Sequence, residues 1–245
     1  MKNTFIKIIF LNFSLLMIFT TGCSHNKPIV VDSQVSDTTN MWADMLIMAE
    51  KKNFNLDTLK QIYDDLRVVT VRYYSFNSDG TTDTKTIHQG VLVVHKDLVS
   101  EVENIFNKIF KSKFPIYKVV PANKFPMNED FEGWNDTIIT ENNITSCFNF
   151  RVQTNGTTLS MHALGRAIDI NPLFNPYVLI KDRKKPEEKI VIPKNSDYKK
   201  SVNGTVSNKN IVKIFEKYFW KWGGNFNTLR DDENTDLKDY QHFEK

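Results

Sequence analysis

The chain has 245 residues, of which 40% are hydrophobic and 25% are charged, and this balance is typical of a folded globular protein rather than a disordered one. Its length accommodates one large domain or two small ones. The formal net charge is +3, and two of the positive charges, Lys2 and Lys7, lie in the first 22 residues, which contain no acid. The rest of the chain is close to neutral, so its charge gives no reason to expect a nucleic-acid partner.

The first 22 residues have the features of a secretory signal. A positively charged start precedes an apolar run at residues 8–19, which is too short to span a membrane comfortably. The run ends in Thr-Thr-Gly-Cys at residues 20–23, which resembles the cleavage box of bacterial lipoproteins, in which the cysteine becomes the lipidated first residue. An ordinary signal peptide with an incidental cysteine is the alternative. Both predict export, and the first predicts anchoring to a membrane through Cys23, in the periplasm or at the cell surface.

The cysteine count agrees with a lipid anchor. The chain has two cysteines, Cys23 and Cys147, and a lipidated Cys23 leaves Cys147 without a partner. We therefore expect Cys147 to be a small buried residue. Residues 23–40 are polar and rich in turn formers, which predicts a tether. Residues 41–245 are then predicted to form a single domain, and we expect it to be monomeric.

In the first half of that domain, apolar spacing predicts a helix at residues 41–49, a second helix capped by Asp57, and a third at residues 97–111. Runs of β-branched and aromatic residues predict strands at 68–74, 90–95 and 116–120.

In the second half, two stretches have little periodicity, and we expect long loops at residues 121–146 and 171–206, with the charged run 181–189 as a solvated face. A turn is expected at residues 154–156. A last helix is predicted from Ser207 to Gly223, with an apolar stripe that includes Phe215, Phe219 and Trp222. Because turns join several of the strands, the predicted fold class is α+β, with a largely antiparallel central sheet and flanking helices.

The most informative stretch is SMHALGRAIDIN at residues 160–171. If residues 165–170 form a strand, Ala167 and Asp169 share one face, while Ile168 and Ile170 share the other and can enter a core. If residues 241–245 form a strand as well, His242 and Glu244 share a face.

Two histidines and one aspartate in these segments form a typical ligand set for a catalytic zinc ion. Such a site needs about three protein ligands and one open position for water, and His162, Asp169 and His242 supply the three. His88 and His95 flank a strand and have no ligand-type pattern around them, and His25 lies in the tether, so we expect these three to lie outside the site.

The pattern Ser-x-His-x-x-Gly-x-Ala-x-Asp at residues 160–169, followed by a distant Asp239-x-x-His242, resembles a known family. It is similar to the zinc D-alanyl-D-alanine carboxypeptidases of the VanY and VanX type and to the L-alanyl-D-glutamate endopeptidases of phage endolysins. Both belong to a superfamily that also contains hedgehog signalling domains. The resemblance runs, with gaps, from about Leu66 to Lys245. It implies a hedgehog-like peptidase fold and one zinc ion.

The resemblance also implies roles for particular residues. His162, Asp169 and His242 match the metal ligands, and Asp239 matches the general base. Aspartate at that position is typical of the endolysin type, and glutamate is found in many carboxypeptidases, which mildly favours cleavage of an L,D bond.

Arg151 matches an arginine thought to polarise the substrate carbonyl or to hold a carboxylate, with a structural salt bridge as the alternative. Ser160 is expected to form a hydrogen bond near the site, with a plain turn serine as the alternative. Glu244 is a rival base, although we favour a role as a hydrogen-bond acceptor for one of the ligands. Trp222-Gly223-Gly224 resembles a tryptophan-glycine element of relatives, although Trp222 fits a core position better.

The leading hypothesis is therefore an exported, lipid-anchored zinc peptidase that acts on the stem peptides of peptidoglycan, as a carboxypeptidase or as an endopeptidase. The alternative is a binding or signalling lipoprotein that keeps the zinc for structure, and an intact Asp239 argues against it, because a structural site needs no base. A peptidase for other peptides is a third possibility. The sequence does not distinguish the bond that is cut.

Overall fold

The computed structural model of the chain describes residues 29–31, 40–153, 158–194, 196–228 and 232–245. The predicted signal, Cys23 and the predicted turn at residues 154–156 lie outside these residues, as does most of the predicted tether. Within that tether, Ile29–Val31 form a short strand, β1. Among the described residues, no helix combines the length and the apolar character that crossing a membrane would require.

Two helices open the body of the protein, α1 at Met41–Lys51 and α2 at Leu56–Asp64, and both were predicted. The predicted cap of α2 was wrong: Asn55, not Asp57, has the extended backbone of a cap, and its side chain accepts a hydrogen bond from the Thr58 backbone N–H at 2.8 Å. Asp57 lies within the first turn instead.

A hairpin and a long helix form the largest part of the core. Strands β2 (Leu66–Phe76) and β3 (Thr82–His95) pair antiparallel, and β1 adds to β3 in parallel. Leu92 and Val94 pack into one core cluster with helix α3 (Val99–Ser112), whereas Val93 joins a second cluster with α1 and α2. The sheet is therefore buried on both faces, and its side chains alternate between two hydrophobic clusters.

The predicted loop at residues 121–146 contains regular structure, so this expectation was partly wrong. Strand β4 (Lys118–Val119) pairs in parallel with strand β5 (Ile144–Thr145). Between them lies the six-residue helix α4 (Asp136–Glu141), which starts where the Asn135 side chain accepts a hydrogen bond from the Ile138 backbone N–H at 3.1 Å. A helix of this length is too short to show an apolar period in the sequence.

The second predicted loop, residues 171–206, also contains a hairpin. After strand β6 (Ala167–Asp169), strands β7 (Tyr177–Ile180) and β8 (Lys189–Ile192) pair antiparallel. The charged run lies at the tip of this hairpin, where residues 183–189 are all exposed, so its interpretation as a solvated face is confirmed.

The last predicted helix is much shorter than expected. Helix α5 covers only Val212–Glu216, and Phe219 has a left-handed backbone (φ 63°) and an 85% exposed side chain. Trp222 belongs to strand β9 (Lys221–Trp222), which is followed by β10 (Asp236–Asp239) and β11 (His242–Glu244). The prediction was wrong because the apolar residues of α5 and of β9 happen to follow helical spacing in the sequence, so they looked like one continuous helix.

The α+β class is confirmed, but the single central sheet is not. The described residues form three sheets of three strands each, in the orders β1-β3-β2, β10-β7-β8 and β6-β11-β9, together with the β4-β5 pair. Most pairs are antiparallel, and β1–β3 and β4–β5 are parallel. The last two three-stranded sheets both contribute residues to one cleft, which is described below.

We predict that Phe243→Ala lowers the free energy of unfolding by about 3–5 kcal/mol, because this fully buried ring stacks on Phe215 at 3.8 Å and its loss leaves a cavity. Phe219→Ala is the matched control, and its effect should stay within about 0.5 kcal/mol because that ring is exposed. Urea unfolding with a chelator present measures both. Equal effects would contradict this description of the C-terminal core.

Candidate functional site

A single turn of 3-10 helix at Met161–Leu164 positions His162. Ser160 caps this turn, and its hydroxyl accepts a hydrogen bond from the His162 backbone N–H at 3.3 Å. Gly165 ends the turn with φ 64°, and a Cβ at this position would lie 2.7 Å from the backbone nitrogen of His95. Glycine is therefore required here. The bond of Ser160 is local to the turn, which fits the alternative of a turn serine as well as a role near the site.

The pairing of β6 with β11 brings the other two candidate ligands together. Asp169 lies directly opposite His242, and Ala167 lies opposite Glu244. Ile168 and Phe243, which alternate with them, both pack into the core. The predicted alternation along both strands is confirmed, and the small side chain of Ala167 leaves room beside the polar ones.

His162, Asp169 and His242 converge as predicted. His162 Nε2 lies 3.1 Å from His242 Nδ1 and 3.3 Å from Asp169 Oδ2, and His242 Nδ1 lies 3.1 Å from Asp169 Oδ1. The potential ligand atoms all lie within 4.8 Å of one another. All three residues are largely buried.

The second nitrogen of each imidazole has an acceptor of its own. His162 Nδ1 donates to the Cys147 carbonyl oxygen at 2.6 Å, and His242 Nε2 donates to Glu244 Oε2 at 3.2 Å. These bonds select the tautomer that leaves His162 Nε2 and His242 Nδ1 available as ligands, which is the usual support for metal-binding histidines. The donor set therefore fits a divalent metal ion with nitrogen and oxygen ligands, such as zinc. In this arrangement Glu244 lies behind a ligand rather than in the position of a base.

The charges of this cluster are strongly coupled. Burial alone would lower the pKa of His242, but hydrogen bonds with Asp169 and Glu244 outweigh it and raise the pKa to about 10. Burial likewise opposes ionisation of Asp169, but the two histidines outweigh it and hold the pKa of Asp169 well below its usual value. The carboxylate therefore requires a positive charge beside it, which a proton on His242 or a bound metal ion can supply.

Asp239 reaches the same cleft from a different sheet. It is the last residue of β10, and Tyr240 and Gln241 then turn the chain into β11. Its Oδ1 atom is buried and has no hydrogen-bond partner among the described residues, and burial raises the pKa of Asp239 to about 6. A carboxylate oxygen that is buried without a hydrogen-bond partner is costly for folding, so it is typical of a catalytic position.

The Trp222-Gly223 element packs against the backbone of Asp239 and Tyr240. Trp222 is buried, as expected, and its Nε1–H donates to the Tyr240 carbonyl at 2.9 Å. A Cβ at Gly223 would lie 2.4 Å from the Asp239 carbonyl oxygen. Only glycine allows this close approach, so the element that the sequence singled out fixes the position of Asp239.

The three candidate ligands and Asp239 line a cleft of about 620 Å³. The sheet β10-β7-β8 contributes apolar side chains to it, namely Tyr177, Ile192 and Leu237. Helix α4 and the segment after it contribute polar ones, which include Thr137, Thr140, Arg151 and Gln153. A cleft with apolar surface and a few convergent polar groups is typical of a site for a small ligand or a peptide.

Arg151 lines the cleft, and it forms the salt bridge that the sequence analysis gave as the alternative to a substrate contact. Its Nε pairs with Asp136 Oδ2, and Asp136 lines the cleft too. Sequence reasoning missed Asp136, because it lies in the short helix α4. It also missed Asn149, whose side-chain amide donates a hydrogen bond to Asp136. It also missed the Cys147 carbonyl, since a backbone oxygen leaves no trace in the sequence. His88 and His95 lie outside the site, as expected.

A family model described as D-alanyl-D-alanine carboxypeptidase matches residues 154–245. The matched segment contains the three candidate ligands and Asp239, whereas Arg151 and Asp136 precede it. The match confirms the resemblance to VanY-like carboxypeptidases that the motif predicted, over a shorter stretch than expected. A search of curated proteins and a search of solved structures found no match.

We predict that binding of one Zn²⁺ ion at pH 7 releases about one proton, because the ion displaces the proton from His242, whose pKa is about 10 in the metal-free protein. The apparent affinity should therefore fall as the pH falls. Calorimetry in buffers of different ionisation enthalpy measures the release. His242→Ala should weaken binding strongly, and His88→Ala should not. Binding without proton release, or equal loss in both variants, would contradict the proposed ligand set.

Proposed function

We propose that the chain is a zinc-dependent peptidase that hydrolyses the stem peptides of peptidoglycan, because residues 154–245 match the family model described as D-alanyl-D-alanine carboxypeptidase. The observation that supports this most directly is the convergence of His162, Asp169 and His242 in one cleft with Asp239, whose buried Oδ1 atom has no hydrogen-bond partner among the described residues. A metal site kept only for structure would not need that carboxylate. The presence of Asp239 therefore favours an enzyme over the non-catalytic alternative.

A zinc ion held by these ligands would supply a water molecule of lowered pKa and polarise the substrate carbonyl. Asp239 then acts as the general base: its carboxylate takes a proton from water as the water oxygen bonds to the carbonyl carbon of the peptide. The same carboxyl group returns the proton to the amine as the C–N bond breaks. The pKa of Asp239, raised by burial to about 6, suits a group that both accepts and donates a proton near neutral pH.

The remaining residues position the substrate and the histidines and stabilise the charge that develops on the carbonyl oxygen. Arg151 can donate to the carbonyl oxygen, on which negative charge develops as water adds. The Cys147 carbonyl and Glu244 keep both histidines in the tautomers that leave their other nitrogens free. The apolar side chains of Tyr177, Ile192 and Leu237 provide a surface for the small side chains of a peptide.

We predict that Asp239→Asn lowers the rate of peptide hydrolysis by at least about 100-fold while zinc binding is retained, because the amide cannot accept the proton. Asp236→Asn is the matched control, since this residue lies on the same strand and does not line the cleft, and it should retain activity. Digestion of purified peptidoglycan, followed by mass spectrometry of the products, measures both. Zinc-loaded wild-type protein that releases no product would refute the proposed function.

We also propose that the chain is exported and anchored to a membrane by a lipid on Cys23, which would place the enzyme beside its substrate. This proposal depends on the amino-acid sequence of residues 1–23 alone. We predict that cells expressing the full chain incorporate a labelled fatty acid into it, and that Cys23→Ser abolishes the label. Cys147→Ser is the control and should keep the label. A label that survives Cys23→Ser, or its absence from the wild type, would contradict the anchor.

A further inference from the structure

The ion pair between Arg151 and Asp136 is part of the cleft wall. Both residues line the cleft, with side chains that are 20% exposed for Arg151 and 42% exposed for Asp136. The pair therefore faces the space that a substrate would occupy, rather than the protein interior. Any substrate group that reaches Arg151 also comes close to the negative charge of Asp136.

Buried hydrogen bonds hold Asp136 in this position. The Asn149 side chain, which is 3% exposed, donates to Asp136 Oδ1 at 2.6 Å and to the Trp134 carbonyl at 3.0 Å. Its oxygen accepts from the Trp134 backbone N–H at 3.1 Å, so the amide is fully occupied. The backbone N–H of Asn149 donates to the His162 carbonyl at 3.2 Å. Asp136 is thereby held in a fixed relation to the segment that carries a metal ligand.

The contacts of Arg151 leave only part of its guanidinium for a substrate. A guanidinium has five N–H donors. Its Nε faces Asp136, and its Nη1 donates to the Val152 carbonyl at 3.1 Å. The donors that remain can still hold an oxygen atom of a substrate, but the positive charge is already compensated by Asp136.

The other charges that line the cleft also disfavour a negatively charged substrate group. The described residues that line it include four carboxylates, Asp136, Asp169, Asp239 and Glu244, and Arg151 is the only lysine or arginine among them. A divalent ion would compensate two of the carboxylates and Arg151 a third. The cleft then has no excess positive charge that would attract a substrate carboxylate.

We propose that Asp136 is a specificity-determining residue, and that the cleft selects a neutral peptide group, rather than a free α-carboxylate, on the residue after the cleaved bond. This inference rests on the proposed peptidase function and goes beyond it, because it assigns the enzyme to the cleavage of bonds within a peptide rather than at its free C-terminus. Arg151 contacts a carbonyl oxygen of the substrate, and Asp136 repels a carboxylate placed there.

The test uses two peptides that end in D-Ala-D-Ala, one as the free acid and one as the carboxamide, which imitates a continuing chain. With zinc-loaded enzyme, kcat/KM should be higher for the carboxamide. Asp136→Asn keeps an oxygen acceptor for Asn149 but removes the charge, and it should shift the acid-to-amide ratio of kcat/KM by about fivefold toward the acid, as expected for one partly exposed charge. Equilibrium binding to the zinc-loaded Asp239→Asn variant, which should hydrolyse peptides at least about 100-fold more slowly, provides a second measurement of the same preference.

Glu141→Gln is the matched control, because this residue lies in the same helix α4, is exposed and does not line the cleft. It removes the same charge and should leave the ratio unchanged. A wild-type preference for the free acid, or a ratio that Asp136→Asn does not move, would overturn this inference and leave the peptidase function intact. If neither peptide bound nor reacted, and peptidoglycan were also untouched, both proposals would fall together.

Discussion

The pairing of β11 with β6 is the interaction on which the rest of the site depends. It places His242 opposite Asp169 while Phe243 and Ile168 are buried in the core. A shift of one residue in this register would turn the histidine into the core and expose the phenylalanine. The burial of Phe243 against Phe215 therefore keeps the two ligands face to face. Within the three residues of β11, the packing of Phe243 in the core thus determines where the candidate ligand His242 lies.

Asp239 and the candidate ligand His242 come from two sheets that meet through a very short connection. Asp239 ends β10 and His242 begins β11, and the two strands belong to different sheets. Such an abrupt change of direction needs support, and it receives it from Trp222, which donates to the Tyr240 carbonyl, and from Gly223, which allows the Asp239 backbone to approach. This explains why a tryptophan-glycine element far from the ligands in sequence is part of the site.

The sequence predicted most of what depends on short-range alternation. The faces of β6 and β11 follow from period-two alternation, and the strands within β2 and β3 follow from runs of β-branched and aromatic residues. The three candidate ligands follow from the motif at residues 160–169 and the distant Asp239-x-x-His242 pattern. It failed where elements were too short to show a period, as in α4 and the β7–β8 hairpin, and where the apolar residues of α5 and β9 merged into one apparent helix. The same limit hid Asp136 and Asn149, whose roles depend on contacts with segments distant from them in sequence and not on any local pattern. The motif at residues 160–169 includes two candidate ligands and the residues that form the turn around His162, but not the orienting groups on distant segments.

The folded protein must also be stable with this cluster of buried ionisable groups when no metal ion is bound. Two imidazoles and a carboxylate are buried together, and the ionised Asp169 needs a positive charge nearby. A proton on His242 supplies it. Because the pKa of His242 rises from 6.5 to about 10 on folding, this proton stabilises the metal-free fold fully below pH 6.5, and the contribution is lost as the pH rises toward 10. At neutral pH this proton supplies the positive charge that a bound metal ion would otherwise supply, so the cluster can fold without a metal ion. A metal ion that binds here would have to displace the proton, and its binding would therefore weaken in acid. Asp239 contributes to the same balance, since its buried carboxyl group becomes easier to ionise when the positive charge beside it increases.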